Sequence, residues 1–194
     1  HTTGNHDYKG ITDNKVLYKK LKMPSEYYSF MKKNWVFVFL NTNEIAAYSN
    51  VVGTAKEQEL LRIQNQIKVN KEIQGARWNG GVSSRQLQWL DNLLKKSEKK
   101  NRNVLIFCHH PLYPRSQFTA LNNMEILDVI NRYNCVKAIF SGHHHSGAFG
   151  YFDHIPCNTV EGMIETPDKN SFGIVRIYKD RIELEGKERM TSRL

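Results

Sequence analysis

Apolar positions along this chain come in two patterns, and each predicts a different element. Trp35-Val36-Phe37-Val38-Phe39-Leu40, Asn103 to Cys108 and Val136 to Ser141 are short continuous runs rich in β-branched and aromatic residues. Runs of that length and composition predict buried strands. Elsewhere the apolar residues recur at helical spacing. Leu87, Leu90, Leu93 and Leu94, with Trp89 beside them, predict a helix capped by Ser83 or Ser84, with Lys95, Lys96, Lys99 and Lys100 at the negative end of its dipole. Met124, Leu127 and Ile130 predict another, capped by Thr119. The mostly polar stretch Thr54 to Gln74 carries Leu60, Leu61, Ile63 and Ile67 at helical spacing, which predicts a surface helix or an inserted helical excursion. In the tail, Phe172 to Tyr178 and Arg181 to Glu185 predict a hairpin turning at Lys179-Asp180. Strands alternating with helices, then strands alone, predict an α/β architecture with mixed sheets. No repeat or low-complexity linker interrupts it, so residues 1–194 read as one unit.

Composition narrows this picture only slightly. With 40% hydrophobic and 11% aromatic residues the chain can bury a core, and no apolar run approaches the ~18 residues of a membrane helix. The formal net charge of +9 favours anionic partners. The lysines are dispersed, however, with no Arg-rich arm and no basic stripe interleaved with aromatics. That distribution fits solvated helix faces and a small anionic ligand better than a nucleic-acid groove. The three cysteines, Cys108, Cys135 and Cys157, form no C-x-x-C pair and read as buried small hydrophobes in a reducing compartment.

The histidines change the picture most. Of eight, six fall in three clusters: His6; His109 and His110; His143, His144 and His145. Each cluster stands where a strand is predicted to become a loop, and open α/β sheets place ligand sites at the carboxyl ends of their strands. Singly, each cluster has a plain explanation as a polar loop or turn. Together, three His-bearing strand ends favour a metal site, since neutral imidazole is a common ligand of Zn, Mn and Fe.

The ordered blocks Gly4-Asn5-His6-Asp7, a His-Pro segment after a strand, and Gly142-His143-x-His145 resemble those of the calcineurin-like metallophosphoesterase superfamily. From about Trp78 onward, Asn79-Gly80-Gly81, Gln86-Leu87-x-Trp89-Leu90, His109-x-Pro111-Leu112-Tyr113-Pro114 and Glu161-Gly162-x-Ile164-Glu165-Thr166 are similar to the manganese-dependent ADP-ribose/CDP-alcohol diphosphatases. The resemblance implies the C-terminal portion of a four-layer αββα sandwich, two mixed β-sheets flanked by helices. It also implies two divalent ions, with Mn2+ favoured and Fe or Zn as alternatives, and a small nucleotide diphosphate as substrate. Carried over position by position, Asn5, His109 and His143 are expected to ligate one metal and His145 the other. His6 is expected to face the leaving group, with Asp7 orienting its imidazole. His110 and His144 stand where the pattern has no His and are read as bystanders or substrate-side groups. Asn79 is a further substrate-side candidate, with a tight turn needing glycine at positive φ as the plain explanation of Asn79-Gly80-Gly81. Ser146 occupies a position where Asp is expected.

Two blocks of the superfamily, D-x-H and G-D-x-x-D, have no counterpart. Asp7, Asp13, Asp91, Asp128, Asp153, Asp168 and Asp180 have no His two positions on, and none follows a Gly. These blocks supply the carboxylates that offset metal charge. The resemblance therefore leads to the expectation of a preceding segment or a complementary chain that carries them. Hydrolysis is expected of the completed protein and little or none of this chain alone. The competing reading is a non-catalytic half-domain or binding module.

Overall fold

The chain is described by a computed structural model covering residues 1–179 and 181–193. Asp180, half of the expected hairpin turn, lies outside the described residues. Among the described residues eight strands form two sheets: β1 (Tyr28–Lys32), β2 (Trp35–Phe39), β3 (Asn103–Phe107), β4 (Val136–Ser141), β5 (Ala148–Phe152) and β6 (Ile155–Thr159) in the larger, β7 (Ser171–Ile177) and β8 (Ile182–Glu188) in the smaller. The larger sheet has the order β1-β2-β3-β4-β6-β5. Its four inner strands run parallel, and β1 and β5 close the edges antiparallel. Four helices accompany them: α1 (Asn14–Lys20), α2 (Lys56–Val69), α3 (Ser84–Lys99) and α4 (Asn123–Ile130).

The period of two along β2 and β3 decides which layer a residue joins, and on β4 a register shift after Val136 brings Val136 and Ile139 to the same face. Val36, Val38, Val104, Ile106, Val136 and Ile139 face Leu90, Leu94, Ile126, Leu127 and Ile130 of α3 and α4. Their alternates, Leu105, Ala138 and Phe140, face Leu184 and Met190 beside the β7–β8 hairpin. Burying each such aliphatic side chain stabilises the fold by about 1.5–3 kcal/mol before the entropy of ordering is subtracted. The hairpin-facing surface also carries a row of rings, with centroids of Phe39 and Phe107 at 5.1 Å and of Phe107 and Phe140 at 5.3 Å. Helices on one face of a mixed sheet and a second sheet on the other make this a portion of an αββα sandwich. Among the described residues no helix is long and apolar enough to cross a membrane.

The predicted strands and α3 appear where the periodicity puts them, with Ser83 as the cap: its side chain accepts from Gln86 N at 3.1 Å. The stretch from Thr54 resolves into α2, which buries Leu60, Ile63 and Ile67 against Ile45, Val51 and Leu121 and leaves Leu61 exposed. The cysteines are all buried and unpaired. One expectation needs correcting. Thr119 does not cap α4, which begins four residues later behind Asn122. The Thr119 hydroxyl donates to Ser116 O, Ala120 N donates to Pro111 O and Leu121 N donates to Gly80 O. Those bonds tie residues 119–121 to neighbouring loops, so the helix starts only after them.

Candidate metal centre

His109 follows the carboxyl end of β3 and Gly142-His143 follows that of its parallel neighbour β4, so the two imidazoles emerge at the same end of the sheet. The loop Gly4–Tyr8 turns over them as a short 3-10 helix. Asn5 Oδ1 lies 3.0 Å from His109 Nε2, and His143 Nδ1 lies 3.0 Å from that same nitrogen. One oxygen and two nitrogens from three distant segments thus converge on a point. They are donors of the kind that Mn, Fe and Zn accept, and all three are neutral. His109, His110 and His143 together place ring nitrogens within 4.8 Å of one another, a partial cluster of the kind that holds a divalent ion.

Within that cluster His110 differs from the other two. It is fully buried, its Nδ1 is 2.9 Å from Thr42 Oγ1, and its Nε2 is 3.3 Å from both Trp78 O and the Tyr48 hydroxyl. Both nitrogens already have protein partners, and substrate has no approach to the ring. Asn5 Oδ1, 3.0 Å from His109 Nε2, is the better third donor. His144 points aside, stacked on Phe118 at 4.5 Å.

His6 and Asp7 are exposed on the Gly4–Tyr8 turn. Asp7, expected to orient the His6 imidazole, has its Oδ2 accepting from Gly4 N at 2.8 Å, which closes the turn. Among the described residues no hydrogen bond joins Asp7 to the His6 ring. His145 keeps apart from the cluster. Its Nδ1 is 2.5 Å from Glu165 Oε1, which leaves Nε2 free. Gly162 lies against that ring, where a Cβ would come within 2.8 Å. The sequence motif spanning Glu161 to Thr166 therefore braces His145, a role no local pattern announces.

Asn79-Gly80-Gly81 also serves otherwise than expected. Neither glycine has positive φ. A Cβ at Gly80 would meet Thr42 O at 2.4 Å, and one at Gly81 would meet Asn122 Oδ1 at 2.4 Å. Close approach between loops, not a tight turn, is what demands glycine there. It brings Asn79 behind His143, whose Nε2 is 3.0 Å from Asn79 Oδ1. His143 itself has φ 65°, and His144 N donates to Gly142 O at 2.7 Å across it. Such a three-residue turn costs a non-glycine residue about 1–2 kcal/mol.

Burial sets the protonation of the cluster. Desolvation first, then the nearby His143, His6 and His145, lower the His109 pKa to about 3. Desolvation, then His145, His6 and His144, lower that of His143 to about 4. Desolvation likewise holds His110 well below the usual imidazole range. All three are neutral at pH 7, as ligands must be. Between pH 6.5 and 4.5 the unfolded chain takes up protons that these folded histidines refuse, so stability falls as pH falls. Each contributes at most about 1.4 kcal/mol per pH unit. The melting temperature of the metal-free chain is expected to drop across that window, before Glu98 and Glu125, held below the usual carboxylate range, begin to titrate. A flat melting temperature from pH 6.5 to 4.5 would contradict this.

Comparison with known proteins agrees with the geometry. The family profile described as calcineurin-like phosphoesterase matches residues 1–147. A manganese-dependent ADP-ribose/CDP-alcohol diphosphatase from Bos taurus is 31% identical over 226 residues, covering 100% of this chain and 67% of that protein. Its counterpart from Oryza sativa subsp. japonica is 31% identical over 211 residues, covering 98% and 65%. The crystal structure of a dimetal phosphatase from Danio rerio superposes with a TM-score of 0.86 at 26% identity, covering 99% of this chain and 70% of that one. The chain spans about two thirds of the length of the curated relatives it matches. Strand-end histidines, sandwich topology and matched sequence agree: the chain belongs to the calcineurin-like phosphoesterase family and is closely related to its manganese-dependent ADP-ribose/CDP-alcohol diphosphatases.

Proposed function

We propose that this chain is the metal-poor half of a phosphohydrolase centre, able to gather one divalent ion weakly and unable to turn substrate over alone. The observation that carries the reading is the convergence of Asn5 Oδ1 and His143 Nδ1 on His109 Nε2, with no carboxylate in the cluster among the described residues. Three neutral donors offset none of a dication's charge, so affinity is low without added carboxylates. In a protein that also supplies D-x-H and G-D-x-x-D, these residues would hold one ion and His145 would reach the other. Two ions so placed acidify a water and neutralise charge on a phosphoryl group. His6, exposed on the same turn as Asn5, would meet the leaving group in that protein. The relatives' names point to ADP-ribose- or CDP-alcohol-type diphosphates as the substrates of the completed centre, with Mn2+ as the preferred ion.

The test is to titrate the chain with Mn2+, then assay hydrolysis of ADP-ribose and CDP-choline. Weak, saturable binding without turnover is the expected result. Metal-dependent hydrolysis of either compound by this chain alone would overturn the reading. Restoring turnover by adding a segment that carries both carboxylate blocks would support the hydrolase role of the completed protein. Failure to restore it would favour a binding module.

A further inference from the structure

We propose that Asn79 is a positioning residue that holds the His143 imidazole in the single tautomer able to present Nδ1 to a metal. Asn79 is 1% exposed, and its Nδ2 donates to Gln74 O at 2.8 Å and to Gln117 O at 2.7 Å. Both amide hydrogens are thus committed to backbone carbonyls. That decides the orientation of the amide, because a flipped side chain would set its oxygen against two carbonyl oxygens. Oδ1 can only accept. The ring nitrogen 3.0 Å from it, His143 Nε2, must therefore carry the proton. A neutral imidazole has one N–H, so the lone pair is on Nδ1. Nδ1 is the atom that lies 3.0 Å from His109 Nε2, at the point where Asn5 also converges.

The backbone makes such a hold necessary. His143 sits at φ 65° in a three-residue turn closed by His144 N and Gly142 O, and that turn fixes the Cα–Cβ direction but not the rotation of the ring. Phe118 touches the ring only edge-on, at a centroid distance of 6.0 Å, and offers no polar partner. Asn79 is the group behind the ring that selects one nitrogen. Its own seat depends on Gly80 and Gly81 packing without side chains against Thr42 and Asn122. This extends to the Asn79-Gly80-Gly81 segment a role in the metal centre, not in substrate contact. Partners that fix the second nitrogen of a ligating histidine are worth about 10–100-fold in metal affinity.

The inference rests on the reading that Asn5, His109 and His143 gather an ion, but its first test needs none. Long-range 1H–15N spectra of the metal-free chain are expected to show His143 as the Nε2–H tautomer. Asn79→Leu is expected to shift His143 toward Nδ1–H or an averaged mixture, and to weaken Zn2+ or Mn2+ binding by about 10–100-fold. Asn79→Asp keeps an acceptor toward Nε2 while abandoning the Gln74 and Gln117 carbonyls. It should lose stability yet retain the Nε2–H tautomer, which a purely structural role would not separate. A wild-type spectrum dominated by Nδ1–H, or an unchanged tautomer in Asn79→Leu, overturns the proposal. Should Asn79→Leu fail to fold, the wild-type and Asn79→Asp spectra still decide it. If the tautomers behave as expected but the chain binds no ion, the functional reading fails and the hold of Asn79 on His143 stands. Ion binding with a tautomer insensitive to Asn79→Leu is the reverse outcome.

Discussion

Glu44→Ala is expected to destabilise this chain by about 3–5 kcal/mol, because it strips the acceptor from several buried donors at about 1–3 kcal/mol each. The Glu44 side chain is 1% exposed and its carboxylate is fully used. It accepts from Lys56 Nζ at 2.8 Å, Ser83 N at 3.0 Å, Ser83 Oγ at 2.8 Å and Gln86 Nε2 at 2.6 Å. Ser83 Oγ in turn accepts from Gln86 N, so the cap of α3 is oriented by the same carboxylate. Truncation leaves Ser83 and Gln86 donors in the interior, at about 1–3 kcal/mol for each unsatisfied group. Lys56, about a third exposed, can turn to solvent or to Glu26 and limits the damage on its side. Glu44→Gln should cost less, since it keeps one acceptor. Urea unfolding at constant m-value measures both. A loss below about 1 kcal/mol for the alanine variant would show that the network is incidental.

The network matters beyond stability because it anchors the loop after β2. Gln86 Nε2 donates to Asn41 O, Thr42 Oγ1 accepts from His110 N, and Asn43 Nδ2 donates to Thr3 O. Those contacts seat His110, next to His109, and Thr3, two positions before Asn5. Glu44 variants that still fold are therefore expected to bind ions more weakly as well.

His109→Ala is the substitution with the largest expected effect on the metal centre. His109 Nε2 is the atom to which both Asn5 and His143 converge, so its removal takes away the shared donor, not a peripheral one. Outer partners of metal ligands are worth about 10–100-fold in affinity, so losing the ligand itself is expected to cost about 100-fold or more. The matched control is His144→Ala, whose ring stacks on Phe118 and lies outside the His109-His110-His143 cluster. It should change affinity by less than about threefold, the scale of a contact worth a few tenths of a kcal/mol. Calorimetric or EPR titration with Zn2+ and Mn2+ separates the two. Equal losses in both variants would mean that the ion binds elsewhere.

Much of the fold was legible because its signals are local. β2, β3 and β4 are continuous apolar runs, and α3 has a serine cap before a stripe of leucines. The edge strands β1 and β5 were harder. Tyr28–Lys32 leaves Phe30 and Met31 about half exposed and shows no inward face by period, while Ala148–Phe152 alternates in burial but is apolar or glycine at every position, so its sequence does not show which face is inward. Their strand character comes from pairing with β2 and β6. The start of α4 was misplaced because Thr119 has good cap chemistry, and its hydroxyl and its neighbours' N–H groups are taken by other loops.

The candidate site divides along the same line. Histidines at the ends of predicted strands, and the resemblance they carry, are features of neighbouring residues, so the order of residues suffices to nominate Asn5, His109, His143 and His145. The company each one keeps is not local. His143 meets Asn79 across 64 positions and His109 meets Asn5 across 104, while His145 finds Glu165 across 20. Nothing near His110 in the chain foretells that Thr42, Tyr48 and Trp78 surround it. Nor does the motif containing Asp7 reveal that Gly4 N takes its carboxylate. A hydrogen bond depends on where two loops come to rest, and that is settled by the packing of strands and helices beneath them. The candidate ligands can therefore be nominated from the sequence, and their burial and partners belong to the folded chain.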